Sequence, residues 1–355
     1  MRNSENSIQA VSSWNFRIFV ILIIGFFVFF LLNIMLGSVY IPMSEVLSIL
    51  FSGGTNHVLH HTIIINTRLP QAVTAILAGA GLGAAGLMMQ TLFRNPLAGP
   101  SVLGVSSGAS LGVAVMMLFI NFPGGTFQVL SQVTGNISVI IAAFAGAFGV
   151  LLLIGVVAGR FKSSATILII GMMISYALTS LTGVLQFYSL KEDLQAFVIW
   201  GLGSFANVAW GQMNFFATFT IIGLLLALML IKPLNTLLLG ENYAHNLGTN
   251  IRRTRIFIIV STGLLTAAVT AYCGPIAFLG LAVPHLSRNL FKTSDHFINV
   301  PGVIITGALV ALVCNLIARL PGFDGALPIN AVTSVIGAPV VIWIIVKQSK
   351  FRAEA

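Results

Sequence analysis

Charged residues fall along this chain in clusters, and the stretches between clusters are apolar. No Lys, Arg, Asp or Glu occurs in residues 18–44, 69–93, 95–159, 163–190, 194–231, 256–287, 296–318 or 325–346. A helix crosses the hydrocarbon core of a bilayer with about 20 predominantly apolar residues. Splitting the gaps at Gly, Pro and polar clusters predicts helices near 16–36, 70–91, 103–121, 137–158, 165–187, 212–231, 255–272, 275–291, 300–318 and 328–347. The pattern specifies an all-α polytopic membrane protein with about ten transmembrane helices. Pro275, Pro284 and Pro301 interrupt the last connections. After the first span, Ile41–Phe51 reads as a short interfacial helix, with Pro42 in its first turn and Val46, Leu47, Leu50 and Phe51 on one face.

Composition agrees. The chain is 57% hydrophobic and 7% charged, where a soluble domain carries about 25% charged residues. With ten spans both termini share a side. That side holds 14 of the 17 basic residues, and the other holds only Arg68, Lys191 and Arg319. Basic residues stay in the cytoplasm, so both termini are expected there. The expected divisions are a tail at 1–15, a membrane domain at 16–347 with a cytoplasmic loop near 239–254, and a tail at 348–355. The apolar segment near the start is too long for a signal-peptide core and reads as an uncleaved span. The basic excess is topological, and no folded basic face for nucleic acid is visible.

Several chemistries are absent. There is no G-x-x-x-x-G-K-[ST] loop to cradle phosphates, so the chain carries no nucleotide site of its own. No acidic residue falls at the centre of a span, where an ion-coupled carrier usually places one; backbone carbonyls can still coordinate sodium, so secondary transport stays open. Gly104-Val105-Ser106-Ser107-Gly108 matches G-x-S-x-G, and His285 lies in another span, as an intramembrane serine protease would require. The hydrolase elbow needs a strand before the serine, whereas a small-residue helix begins here. His57, His60 and His61 have no acidic or Cys partner close in sequence and read as a solvated outer loop. Cys273 and Cys314 read as buried thiols. No metal or cofactor is expected, and no catalytic residue. The spacing of Gly79 and Gly83, of Gly104, Gly108 and Gly112, and of Ala142, Gly146 and Gly149 predicts close helix packing. Trp14, Trp200, Trp210 and Trp343 fall near span ends, as in an aromatic belt.

Two constellations invite a functional reading. Arg68 and Arg319 sit on the side that sheds basic residues, which suits either lipid headgroups or an acidic partner outside the membrane. On the cytoplasmic side, Glu241–Asn246 is predicted to form a short helix ended by a left-handed cap at Gly248. Thr249 or Asn250 caps the next helix, and Arg252, Arg253 and Arg255 anchor it to headgroups. A membrane protein with such a loop and no nucleotide site borrows its motor from a partner.

The chain resembles the FecCD family, the permease subunits of ABC importers for iron–siderophores, haem and cobalamin. The matching stretches run in order: Arg68-Leu69-Pro70, Leu92-Phe93-Arg94-Asn95-Pro96-Leu97-Ala98, Leu103–Ala109, Trp200-Gly201, Leu239–Gly248, Gly274-Pro275-Ile276, Gly280–Arg288, Leu327-Pro328-Ile329 and Ile336–Pro339. The resemblance implies an ABC type II importer permease bundle in the bacterial inner membrane. It implies a homodimer with the pathway between the copies, two ABC ATPase subunits on the cytoplasmic side, and a periplasmic or lipid-anchored substrate-binding protein outside. It assigns binding-protein docking to Arg68 and Arg319, and ATPase coupling to Glu241, Ala244, His245, Leu247 and Gly248. The cytoplasmic gate falls to Asn95, Pro96 and Leu97. An iron chelate is the implied cargo, with siderophore ahead of haem or cobalamin. The chain departs from the family pattern at Gln71, usually Arg, and at Gly99 and Asn315, each usually Asp.

Overall fold

The computed structural model describes residues 2–37, 39–52, 58–119, 136–161, 163–319 and 326–353. His57 and Lys162 lie outside them. In chain order the helices are α1 (Arg2–Met35), α2 (Met43–Ser52), α3 (Val58–Phe93), α4 (Val105–Ala114), α5 (Asn136–Arg160), α6 (Ser164–Phe187) and α7 (Lys191–Gly201). After these come α8 (Trp210–Met229), α9 (Ile231–Leu238), α10 (Glu241–Asn246), α11 (Ile251–Cys273), α12 (Leu279–Phe291), α13 (His296–Ala318) and α14 (Ile329–Ala353). No strand occurs among the described residues.

Among the described residues, seven helices are long and apolar enough to cross a membrane: those ending at Met35, Phe93, Arg160, Phe187, Met229, Cys273 and Ala318. The other three predicted spans are present as well: Val105–Leu118 and Leu279–Phe291 are short, and the last is the 25-residue α14. A 13-residue helix such as α12 rises only about 20 Å, and non-helical backbone at Gly274–Phe278 leads into it. Gly274 and Phe278 both take positive φ there. Non-helical backbone at membrane depth survives only where protein satisfies its polar groups. Asn330 does so: its Oδ1 accepts from the Ala277 N–H at 2.8 Å, and its Nδ2 donates to the carbonyls of Gly201 and Pro275. The Ser204 N–H closes the same knot on the Cys273 carbonyl. The connection through α7, which the apolar pattern merged into one long gap, brings Gly201 to this point.

Helix α3 is the central post, and α13 and α12 pack on it through glycine. A Cβ on Gly79 would lie 2.2 Å from the Gly307 carbonyl oxygen, and one on Gly86 would lie 1.6 Å from that of Gly280. The α4–α5 contact is built in the same way from Gly108, Gly112, Ala142 and Gly146. Two expected packing glycines behave differently: Gly104 supplies a left-handed turn at φ +78, and Gly149 faces open space. Polar side chains add ties between spans. Asn33 donates to the Leu312 carbonyl, and Ser261 to that of Gly223.

The predicted interfacial helix appears as α2. Its Glu45 meets His60 at 2.8 Å, so the histidines gain an acidic partner that sequence proximity did not disclose. Among the described residues no group of His, Cys, Asp and Glu is arranged to hold a metal.

Candidate functional site: the two ends of the bundle

At the expected cytoplasmic end, α10 forms as predicted. Gly240 opens it at φ +115, and Gly248 closes it at φ +82. The Thr249 N–H reaches back to the Ala244 carbonyl at 2.9 Å, and the Asn250 side chain caps α11 through the Arg253 N–H. Ala244 is fully buried against the bundle, whereas Tyr243 and Leu247 are 68% and 61% exposed. His245 is also exposed. The short helix therefore presents Tyr243 and Leu247 outward, beside the exposed polar residues Asn242, His245 and Asn246.

One of the three basic residues expected at headgroups is placed elsewhere. Arg255 is buried, with its guanidinium turned inward. Its Nη2 donates to the Glu241 carboxylate at 3.0 Å, and its Nη1 to the Phe161 carbonyl at 3.0 Å. Ser164 also donates to Glu241, at 2.9 Å. The first residue of α10 is thus tied to the α5–α6 turn and to α11. The cause is local: a carboxylate at a helix start meets a cation one turn into the following helix, and partial burial favours their pairing. Beside this knot is a cavity of about 780 Å³ that Arg160, Arg252 and His245 help to line.

Asn95, Pro96 and Leu97 form the turn after α3. The Asn95 Oδ1 accepts from the Leu97 N–H at 2.9 Å, and the Pro96 carbonyl pairs with His285 Nε2 at 2.8 Å. Leu97 is exposed. Just above, Arg288 donates to Gln90 Oε1 at 2.7 Å, while Gln90 Nε2 donates to the Leu281 carbonyl. The turn and α12 therefore form one polar unit. His285 belongs to it and not to a hydrolytic pair, because Ser106 shares its hydrogen bond with Thr270. Glu45, Glu192, Asp193, Glu241 and Asp295 all lie at helix starts, where the helix dipole favours a negative charge. None of these five sits in mid-span.

The opposite end carries Arg68 and Arg319. Arg68 is 1% exposed. Its Nη1 donates to the carbonyls of Ile34 and Met35, at 2.7 and 2.8 Å, and its Nη2 to that of Val39. It closes the end of α1 onto a π-helical turn in α3 at Ile64–Arg68, a placement that its outward sequence position did not reveal. Arg319 comes directly after α13, and its buried Nη1 has no hydrogen-bond partner among the described residues. Burial, and then the neighbouring Arg68 charge, push its guanidinium down to about 10. The two arginines converge on Gly37: a Cβ there would lie 3.0 Å from Arg68 Nη2 and 3.1 Å from Arg319 Nη2. Beneath them, Gln71 Nε2 donates to Asn315 Oδ1 at 3.0 Å, and Asn315 Nδ2 donates to Asn33 Oδ1 at 2.8 Å. Two of the three departures from the family pattern therefore touch, as a neutral amide pair.

The profile of the FecCD transport family matches residues 22–347. A hemin transport system permease protein of Yersinia pestis is 31% identical over 334 residues, 94% of this chain and 97% of its own. A vitamin B12 import system permease protein of Salmonella typhi is 34% identical over 287 residues, 80% of this chain and 83% of its own. Among solved structures, an inward-facing metal-chelate type ABC transporter superposes with a TM-score of 0.80 at 29% identity, covering 93% of this chain and 99% of that one.

Proposed function

Because the chain belongs to the FecCD transport family, we propose that it is the permease of a binding-protein-dependent ABC importer that brings a metal chelate into the cytoplasm. An iron chelate is the favoured cargo, siderophore before haem or cobalamin. The relatives support a chelate of this size class: one is a hemin permease, one a vitamin B12 permease, and one a metal-chelate type transporter. The chain does no covalent chemistry. Two copies enclose the pathway in the bacterial inner membrane with both termini cytoplasmic, and two ABC ATPase subunits supply the work. The observation that carries the reading is α10, a short helix pinned by Arg255 with Tyr243 and Leu247 facing outward. It offers an ATPase a rigid handle, with Glu241, Ala244, His245, Leu247 and Gly248 as its parts.

The turn at Asn95, Pro96 and Leu97 is the cytoplasmic constriction in this scheme. A binding protein docks outside, and Arg319 is the group that awaits its carboxylate. Arg68, already engaged by three carbonyls, holds the docking platform in place. Cargo shifts the inward–outward equilibrium only by differential affinity, and the binding protein supplies that difference. The test is a mild-detergent pull-down of the tagged chain from its native cells with mass spectrometry. Recovery of an ATPase and a binding protein is expected. A lone chain without an ATPase contradicts the reading.

A further inference from the structure

The turn Asn95–Leu97 and the helix α10 lie far apart in sequence, yet one side chain joins them. Arg94 ends α3 in the left-handed region at φ +48. The Asn95 N–H returns to the Gln90 carbonyl at 3.2 Å, closing the helix end. Glycine is the usual occupant of such a position, and a residue with a Cβ is strained there. The Arg94 side chain compensates. Its Nη2 donates to the carbonyls of Leu237 and Leu238, at 3.2 and 3.4 Å. These are the last carbonyls of α9, at the negative end of its dipole.

The far side of the contact is shaped to admit it. A Cβ on Gly240 would lie 3.0 Å from Arg94 Nη2, and Gly240 is the residue immediately before Glu241. A cation in a position that favours glycine, and a glycine where that cation arrives, are separate features that meet at one contact. A comparison within the chain sharpens the point. Helix α12 also ends in Leu-Phe and a basic residue, Lys292, at φ +50. Lys292 packs over the Trp14 ring, 4.7 Å from its centroid, and so holds α1. Of these two matched helix ends, Arg94 is the one that reaches the α9–α10 junction.

We propose that Arg94 is the positioning residue that conveys movement of the coupling helix α10 to the turn Asn95–Leu97. This rests on the importer reading. Displacement of α10 draws on the Leu237 and Leu238 carbonyls, and these draw on Arg94. The turn moves as a unit, because Asn95 caps Leu97 and Pro96 is held by His285.

The test uses the assembled transporter, permease with its ATPase and binding protein, in proteoliposomes. It reads chelate imported per ATP hydrolysed. Arg94→Gly keeps the left-handed turn and removes the guanidinium. Hydrolysis stimulated by the binding protein is expected to persist while import per ATP falls about fivefold or more, the usual span of coupling between sites. Arg94→Lys keeps the charge without the planar fork and falls in between. An unchanged import per ATP in Arg94→Gly overturns the proposal. Loss of hydrolysis and import in strict proportion, through poorer assembly, overturns it too, by making Arg94 merely structural. If the wild-type assembly imports nothing with ATP, it is the importer reading that fails.

Discussion

Arg255 donates to the Glu241 carboxylate at 3.0 Å, and this contact fastens the first residue of α10 to the first turns of α11. Arg255 is buried, while the carboxylate is part-exposed. Removing the carboxylate therefore takes the Glu241 charge away from a buried cation, whereas removing Arg255 frees a group that water can reach. Glu241→Ala is expected to be the more damaging single change, by roughly 1–3 kcal/mol of local stability. Hydrogen exchange across 239–255 in the two variants checks the order.

Ala244→Pro tests the proposed coupling role of α10. The Ala244 N–H donates to the Gly240 carbonyl at 2.8 Å, and proline both deletes that bond and clashes with the preceding turn, at a cost of about 3 kcal/mol or more. ATP hydrolysis by the assembled complex is expected to continue with uptake lost. Normal uptake by the variant removes α10 from the coupling path.

The two outer arginines should separate. Arg319→Glu is expected to weaken binding of the substrate-binding protein while leaving the permease folded, since its Nη1 has no partner among the described residues to lose. Arg68→Glu places a carboxylate against the carbonyls of Ile34, Met35 and Val39 and is expected to lower the thermal midpoint. Binding measured beside thermal unfolding distinguishes the two effects.

The proposed docking through Arg319 carries a defined pH response. Its guanidinium is pushed down to about 10 by burial and by Arg68, so it is still a cation near pH 7. Affinity for the binding protein is expected to hold between about pH 6 and 8 and to fall as the pH approaches about 10, where unperturbed arginine, titrating above about 12, would hold. An Arg319→Lys variant, whose ammonium titrates lower than guanidinium in the same surroundings, is expected to lose affinity at a lower pH than the wild type.

The neutral pair Gln71–Asn315 offers a reciprocal test. Asn315→Asp alone buries a carboxylate beside Gln71, and Gln71→Arg alone buries a cation beside Asn315. Each is expected to destabilise the bundle, and the double change to recover part of the loss, as contacting residues do. Additive losses in thermal unfolding contradict a direct coupling.

Much of this was legible in the sequence. Gaps between charges located the spans, because a bilayer penalises charge everywhere along a helix. Gly248 and Asn250 outlined the end of α10 and the start of α11, because positive φ and helix capping restrict residue type. The residues around Asn95-Pro96-Leu97 and Pro284-His285 carried the family. The features that escaped depend on where side chains turn in three dimensions. Arg68 and Arg255 looked like surface cations by position, and both are buried on partners far along the chain. Asn330 gave no signal, since its partners Gly201, Pro275 and Ala277 converge only after α12 is shortened. The charge pattern also counted α12 as a full span, because non-helical apolar backbone and apolar helix look alike in hydropathy.

In the proposed scheme this chain moves a chelate only when an ATPase works through α10. The most direct measurement is uptake of an iron chelate into proteoliposomes that hold the permease, its ATPase and its binding protein, with and without ATP. Accumulation is expected to need ATP and all three proteins, and to be abolished by Ala244→Pro while hydrolysis continues. Uptake driven by an ion gradient without ATP or the ATPase contradicts the scheme.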